Sequence, residues 1–269
     1  MKTVFAIILS LTVFSYSLGI CAQTGLRCSY MENYKRYADS DKIESDEMIL
    51  EIGNQSSEYY SLWNRGRQQI VDSLSAKGAS LEEIYTARER LDYPRSIQYF
   101  TIYKNYPSKG ELLYTDQLIT DYYQYTEKMA RPEWKIQIEK KEIAGYKCQK
   151  AEAIFLGRKW TAWFTMDIPV SDGPWKLWGL PGLILEANDS TNEYAFKCME
   201  IKNIKTPTIR VPKKNYIKLS KEKFITEETE LAEDGFTFAK KRGKFAPVPL
   251  GDDGKPETPK RRAYNCIEQ

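Results

Sequence analysis

Histidine is absent from all 269 residues, and that absence narrows the chemistry open to the chain's own side chains. It removes the commonest general base, the Ser-His and Cys-His nucleophile pairs and imidazole-rich metal sites together. Catalysis would fall to carboxylates, lysines or tyrosines. Carboxylates are plentiful, Asp167, Glu186 and Asp189 among them, but nothing in their spacing brings two to the separation a glycosidase pair requires. Ordinary surface placement is expected for them. The sequence therefore assigns no catalytic residue, no metal ligand and no cofactor.

Two other residue types carry information. The 19 tyrosines include Tyr99, Tyr103, Tyr122, Tyr123 and Tyr125 at strand-like positions, where aromatic rings pack or line a groove for sugars or flat ligands. Cys28, Cys148, Cys198 and Cys266 form an even set with no CxxC spacing, which favours disulfides over zinc or a redox pair. Three connectivities exist. Pairing Cys148 with Cys198 and Cys28 with Cys266 is preferred, because the first two fall on neighbouring predicted strands and the others near the chain ends. In the chain-entropy description the 148 to 198 bridge would stabilise by about 4 kcal/mol.

Disulfides presuppose an oxidising compartment, and the first residues supply a route to one. Lys2 precedes an apolar run from Val4 to Phe14, then Leu18, Gly19, Ile20, Cys21 and Ala22, the layout of a secretory signal peptide. Cleavage after Ala22 is preferred, giving a signal peptide over 1–22 and one strand-rich domain over 23–269. The alternative is a lipoprotein box at Leu18-Gly19-Ile20-Cys21 with lipid on Cys21, against which stands the bulk of Ile20. No segment reaches the roughly 20 apolar residues of a transmembrane helix. Periplasmic, outer-membrane-associated or extracellular placement follows. With 40 basic and 37 acidic residues the charge is nearly balanced, so no global field recruits nucleic acid.

The elements that must position these residues are mostly strands. Met48-Ile52 and Tyr59-Leu62 flank a turn-rich segment, and Gln68-Leu74 and Ser80-Leu91 carry helical periodicity, the second opened by a Ser80/Glu83 capping box. From Ser96 onward period two dominates, with predicted strands at Ile97-Lys104, Glu111-Ile119, Tyr122-Lys128, Trp134-Lys140, Tyr146-Leu156, Lys159-Asp167, Leu183-Ala187 and Tyr194-Ile204. Short gaps favour antiparallel pairing. The expectation is an α+β fold: a large curved antiparallel sheet, a half-barrel-like meander, with a short helical pair near the N-terminus. Beyond about residue 206 six prolines interrupt both periods, and Cys266 suggests that the tail is tied back onto the domain.

Between Asp167 and Glu186 lies an apolar loop bounded by Pro/Gly corners. Pro181 and Gly182 are expected to form a type II turn, Gly182 taking positive φ. Gly179-Leu180-Pro181-Gly182-Leu183-Ile184, with Gly145-Tyr146-Lys147-Cys148, Gly157-Arg158 and Ala162-Trp163-Phe164 upstream, resembles the GLPGLI family of exported bacterial proteins. The resemblance implies an envelope protein without an assigned reaction and carries over no catalytic residue. The family's strand order also resembles that of lipoprotein carriers, whose half-open barrels cradle acyl chains. Two accounts of the loop stand side by side: Trp175, Leu177, Trp178 and Leu180 pack beneath the sheet, or part of the loop grips a lipid, a peptide or an envelope protein. The expected function is accordingly non-enzymatic binding of a hydrophobic or peptidic ligand or an envelope partner, with a carboxylate-dependent hydrolase and a structural subunit as alternatives.

Overall fold

The structure is a computed structural model, and it describes residues 24–246, 248, 255, 257 and 261–269. The leader over 1–22, with Cys21, lies outside the described residues. Alternating strand patterns separated by tight turns produce one sheet of twelve strands among the described residues. These are β1 (Thr24–Tyr34), β2 (Glu44–Ile52), β3 (Ser57–Ser61), β4 (Thr101–Lys104), β5 (Glu111–Leu118) and β6 (Asp121–Lys128). The second half contributes β7 (Lys135–Ile143), β8 (Tyr146–Phe155), β9 (Arg158–Thr165), β10 (Leu183–Asp189), β11 (Tyr194–Lys205) and β12 (Tyr216–Lys218).

The strand order is β12-β6-β5-β4-β3-β2-β1-β11-β10-β9-β8-β7. It comprises two meanders, β1 to β6 and β7 to β11, stitched where β1 meets β11 in a register running from Thr24 against Lys205 to Tyr34 against Tyr194. Pairing is antiparallel except where β12 joins β6 in parallel at the edge. The fold is thus the expected large open antiparallel sheet with a few helices, although one continuous meander is replaced by two with a central seam. The seam strand β1 is not apparent in the sequence, because Glu32 occupies a core-facing position in the series Cys28, Tyr30, Glu32, Tyr34 and breaks the apolar alternation.

The two faces carry different covers. On one, α1 (Leu62–Ala76) and α2 (Leu81–Glu89) form the expected helical pair, with the Ser80/Glu83 capping box in place. Arg65 of α1 reaches Glu58 of β3 at 3.1 Å and lies 3.4 Å over the Tyr60 ring. The other face carries the main core, including Tyr30, Met48, Leu50, Tyr59, Ile102, Trp160, Phe164 and Phe196. A second helical pair that the periodicity did not announce, α3 (Lys221–Glu233) and α4 (Gly235–Lys241), belongs to this face. Phe224 of α3 sits 5.3 Å from the Tyr114 ring and 5.4 Å from that of Tyr125. Burying one such phenyl ring contributes roughly 1.5–3 kcal/mol.

The sheet bends strongly toward that face. Laid flat, β6 and β9 would stand roughly 38 Å apart, eight spacings of about 4.8 Å. Yet the C-terminal tail bonds β9 directly and is linked to β6 through two bridging lysines. Arg158 of β9 donates to the carbonyls of Cys266 (2.8 Å) and Ile267 (3.0 Å), while the next residue, Glu268, bonds Lys176 and Lys221, both of which also reach Glu127 of β6. The tail is therefore tied back as expected, by a guanidinium in place of a sulfur bridge. Replacing Arg158 by Met should strand Asp189 without its cation and cost about 3–5 kcal/mol, the usual penalty for breaking a buried pair. Urea denaturation measures the loss, and limited proteolysis should release the tail before the sheet unfolds.

Candidate functional site

A cavity of about 380 Å³ lies between the bent face of the sheet, α3 and the returning tail. Its walls are aromatic: Tyr114 and Tyr125 stack at 4.9 Å, Phe100 lies 5.6 Å from Tyr114, and Trp175, Tyr194, Phe224 and Tyr264 complete the enclosure. Ile97 and Tyr99, 36% and 49% exposed, mark its outer rim. Set among these rings are the carboxyl groups of Glu32, Asp116, Glu228 and Glu268.

Each carboxyl is held by a different element. Glu32 comes from β1 and accepts a hydrogen bond from Tyr59 Oη at 3.2 Å. Directly across the strand pair is Asp46 of β2, which accepts from Ser61 Oγ at 2.9 Å and from Ser96 Oγ. Asp116, from β5, is 9% exposed and accepts from the backbone N–H of Gln117 at 2.6 Å, with no ion-pair partner among the described residues. Glu228, from α3, accepts from Tyr264 Oη at 3.1 Å.

Burial governs their protonation. It pushes the Glu32 carboxyl up to about 8, the Asp46 charge adding to the effect and bonds from Gln98 and Tyr59 opposing it. Asp46 rises to about 6 by burial, against its serine hydrogen bonds. Burial lifts Glu228 to about 7, the Tyr264 bond opposing, Glu268 adding, and Arg36 and Lys176 pulling it back. Asp116 lies well above the carboxylate range through burial first and then the nearby Glu228. Near neutrality burial therefore favours the uncharged forms of Glu32, Asp116 and Glu228.

The loop singled out in the sequence is the floor beside this cavity. Leu177 and Leu180 are buried in the core, Trp178 is half-buried with its Nε1–H on the Ala130 carbonyl at 2.8 Å, and Trp175, also buried, lines the cavity. Trp134 Nε1 donates to the Trp178 carbonyl at 2.7 Å, and Arg131 donates to the Gly179 carbonyl at 2.9 Å. Positive φ, expected at Gly182, is found at Gly179, whose φ is 95°. Gly182 serves another purpose: a Cβ there would lie 2.0 Å from the Thr165 carbonyl oxygen, so the loop could not approach β9. Upstream, Asp172 anchors the loop to Lys104 Nζ at 2.5 Å and Ser57 Oγ at 2.6 Å. Burial lowers the Lys104 pKa and the Asp172 charge raises it.

All four described cysteines are free thiols, so neither expected bridge is formed. Cys148 on β8 and Cys198 on β11 are not on neighbouring strands; β9 and β10 intervene. Cys28 lies within the electrostatic reach of Cys198 and Asp172, and Cys266 within that of Glu228, Glu268 and Arg158. Burial pushes Cys148 up to about 11 and Cys198 and Cys266 up to about 12, which makes them poor nucleophiles.

The carboxylates prominent in the sequence serve elsewhere. Asp189 pairs with Arg158 at 2.7 Å, Glu186 pairs with Lys141, and Asp167 is exposed. Of the tyrosines, Tyr99 and Tyr125 line the cavity, while Tyr103 and Tyr122 line a groove beside α1 on the opposite face. Three of its cations are engaged: Arg65 on Glu58, Arg67 on the Tyr93 and Pro94 carbonyls, and Lys214 on Asp72. It holds α1 to the sheet.

Comparison with known proteins bears on the fold and on one segment. The model of one family, described as "Protein of unknown function (Porph_ging)", matches residues 157–186, which run from the Gly157-Arg158 corner through the loop into β10. No curated protein matches the chain. Among solved structures, PNGF-II in space group P21 is similar in fold, with TM-score 0.52 and 15% identity over 76% of this chain and 32% of that chain. Its C2 crystal form aligns at TM-score 0.48 with the same identity and coverage. The chain thus spans about a third of the PNGF-II chain, and the likeness is one of fold. No helix among the described residues is long and apolar enough to cross a membrane.

The raised carboxyls have a measurable consequence. Glu32 binds a proton more tightly folded than unfolded, so its contribution to stability is full below its ordinary value of 4.5 and is lost as pH rises through about 8. Asp46 and Glu228 act in the same direction. The thermal midpoint should therefore fall between pH 5 and pH 9, and Glu32→Gln should flatten that decline. Thermal unfolding followed by circular dichroism across this range checks it; a midpoint rising with pH would contradict the assignment.

Proposed function

We propose that this chain is an exported, non-enzymatic cell-envelope protein that takes a hydrophobic or peptidic ligand, or a segment of an envelope partner, into the cavity beneath α3. The single observation that carries the reading is the enclosure of about 380 Å³ walled by stacked aromatic rings and roofed by a helix and the tail. Ligand sites are concave and mostly apolar, with a few convergent polar groups, and this space matches that description. Export is supported by the apolar leader alone, since the thiols are unpaired.

A carboxylate-dependent hydrolase is the second reading, favoured by the pairing of Glu32 with Asp46 across β1 and β2 and by their separated protonation ranges. It ranks below binding because Asp46 is turned onto Ser61 and Ser96 and does not line the cavity. A reacting bond would meet only one member of the pair.

Native chain isolated from the cell envelope should carry an extractable lipid or peptide, or a stoichiometric partner, identified by mass spectrometry. Leu231→Trp, which places an indole in the cavity from α3, should lose that cargo while keeping the circular dichroism of the parent. Cargo-free native chain with no partner would overturn the proposal. Cleavage of envelope glycans that vanishes in a folded Glu32→Gln variant would move the assignment to the hydrolase.

A further inference from the structure

The cavity's charges do not balance. Glu268 is neutralised by Lys176 and Lys221, each at 2.5 Å, and no lysine lines the space. That leaves Glu32, Asp116 and Glu228 against one lining cation, Arg36, whose guanidinium lies 5.3 Å over the Tyr37 ring and offsets Glu228. Asp116 is the sharpest case. Nine-tenths buried and facing the cavity, it holds the N–H of its own neighbour and nothing positive. An isolated buried carboxylate is costly unless it meets a positive partner or stays protonated.

The lining supplies the rest of a cation site. Tyr114, Tyr125, Tyr194, Phe224 and Trp175 present π faces or edges around the acidic groups, and a cation over such faces gains further attraction. Lys176 already demonstrates this at the floor, lying 5.3 Å from the Tyr125 ring and 5.6 Å from that of Tyr114. Metal is the weaker fit: no three His, Cys, Asp or Glu side chains among the described residues converge as metal ligands do. An organic cation with an apolar stem suits both the rings and the carboxyls.

We infer that the cavity selects an alkylammonium or alkylguanidinium group, as a lysine or arginine side chain of a peptide or as a free amine, seated between Asp116 and Glu228 with its stem against the aromatic wall. This deepens, and rests on, the reading of the cavity as a binding site. The ionisable groups facing the cation are Glu32 from β1, Arg36 just beyond its end, Asp116 from β5, Glu228 from α3 and Glu268 from the tail, with Asp46 behind Glu32. Burial keeps Tyr114, Tyr125, Tyr194, Tyr264 and Cys266 neutral throughout the range of interest. Binding a cation stabilises the charged form of the carboxyls, so it expels protons. Affinity must therefore grow as pH rises through about 7 and about 8, the ranges of Glu228 and Glu32.

Calorimetric titration of the full chain with n-butylguanidinium, n-butylammonium and the neutral n-butylurea tests the inference, beside a blocked pentapeptide carrying arginine or its uncharged counterpart citrulline. At pH 8.5 the cations should bind at least tenfold more tightly than the neutral partners, and the preference should shrink at pH 5.5. At pH 7, runs in buffers of different ionisation heat should show proton release. Asp116→Asn with Glu228→Gln should abolish the preference, and Glu228→Gln alone should reduce it, with unchanged circular dichroism. A tighter arginine peptide identifies a basic peptide segment as the ligand; a tighter butyl compound identifies a small amine. Equal or tighter binding of butylurea, or no binding by any probe, overturns the cation inference; the reading of the cavity as a binding site falls only if the native chain also carries no cargo and no partner.

Discussion

Five hydrogen bonds from one guanidinium hold the two ends of this architecture together. Arg158 spends Nε and both terminal nitrogens on Asp189, Glu193, Asn265 and the carbonyls of Cys266 and Ile267. Its side chain is 4% exposed. Only arginine offers that many donors in a rigid fork and cannot shed its charge, so a lysine at this position could satisfy at most part of the set. Because the tail it captures also meets α3 and is bridged by Lys176 and Lys221 to β6, the bend of the sheet, the roof of the cavity and the placement of Glu268 all descend from this contact.

The same segment carries the second anchor. Asp172 and Lys176, like Arg158, fall within the thirty residues that match the family of unknown function, and both reach across to the first meander, at Lys104 and Ser57 and at Glu127 and Tyr125. This stretch therefore works as a cross-brace between the two halves of the sheet. Its glycines and prolines let backbone lie against backbone, and its large apolar residues mostly fill the core. Buried polar contacts of this kind are demanding, since a lost partner leaves a desolvated charge behind.

Much of the architecture was legible in the sequence because period-two alternation survives wherever one face is core and the other is not. Eight strands from Ile97 to Ile204 and the Ser80/Glu83 helix start could be read in that way. Three things could not. The seam strand was hidden by Glu32, an acid at a core position. The helix over Lys221–Glu233 was hidden by its charge, although Ser220 as N-cap and the spacing of Phe224, Leu231 and Ala232 were its available signal. The site itself was hidden because its members come from β1, β5, α3 and the tail, and only tertiary structure brings them together. The cysteines misled for a related reason: proximity was inferred from successive strands, whereas Cys148 and Cys198 are separated by two.

Glu32 shows how those failures join. A residue that disrupts local patterning, lies buried beside a second acid and faces a cavity is a compromise between folding and something else. The central seam has a kinetic side as well. Its strand β1 has β2 close behind it, but its other neighbour, β11, ends at Lys205, some 180 residues later. During vectorial synthesis the first strand must wait, with one flank unzipped, until the chain has emerged as far as β11, so nascent molecules depend on holding that edge out of reach of their neighbours.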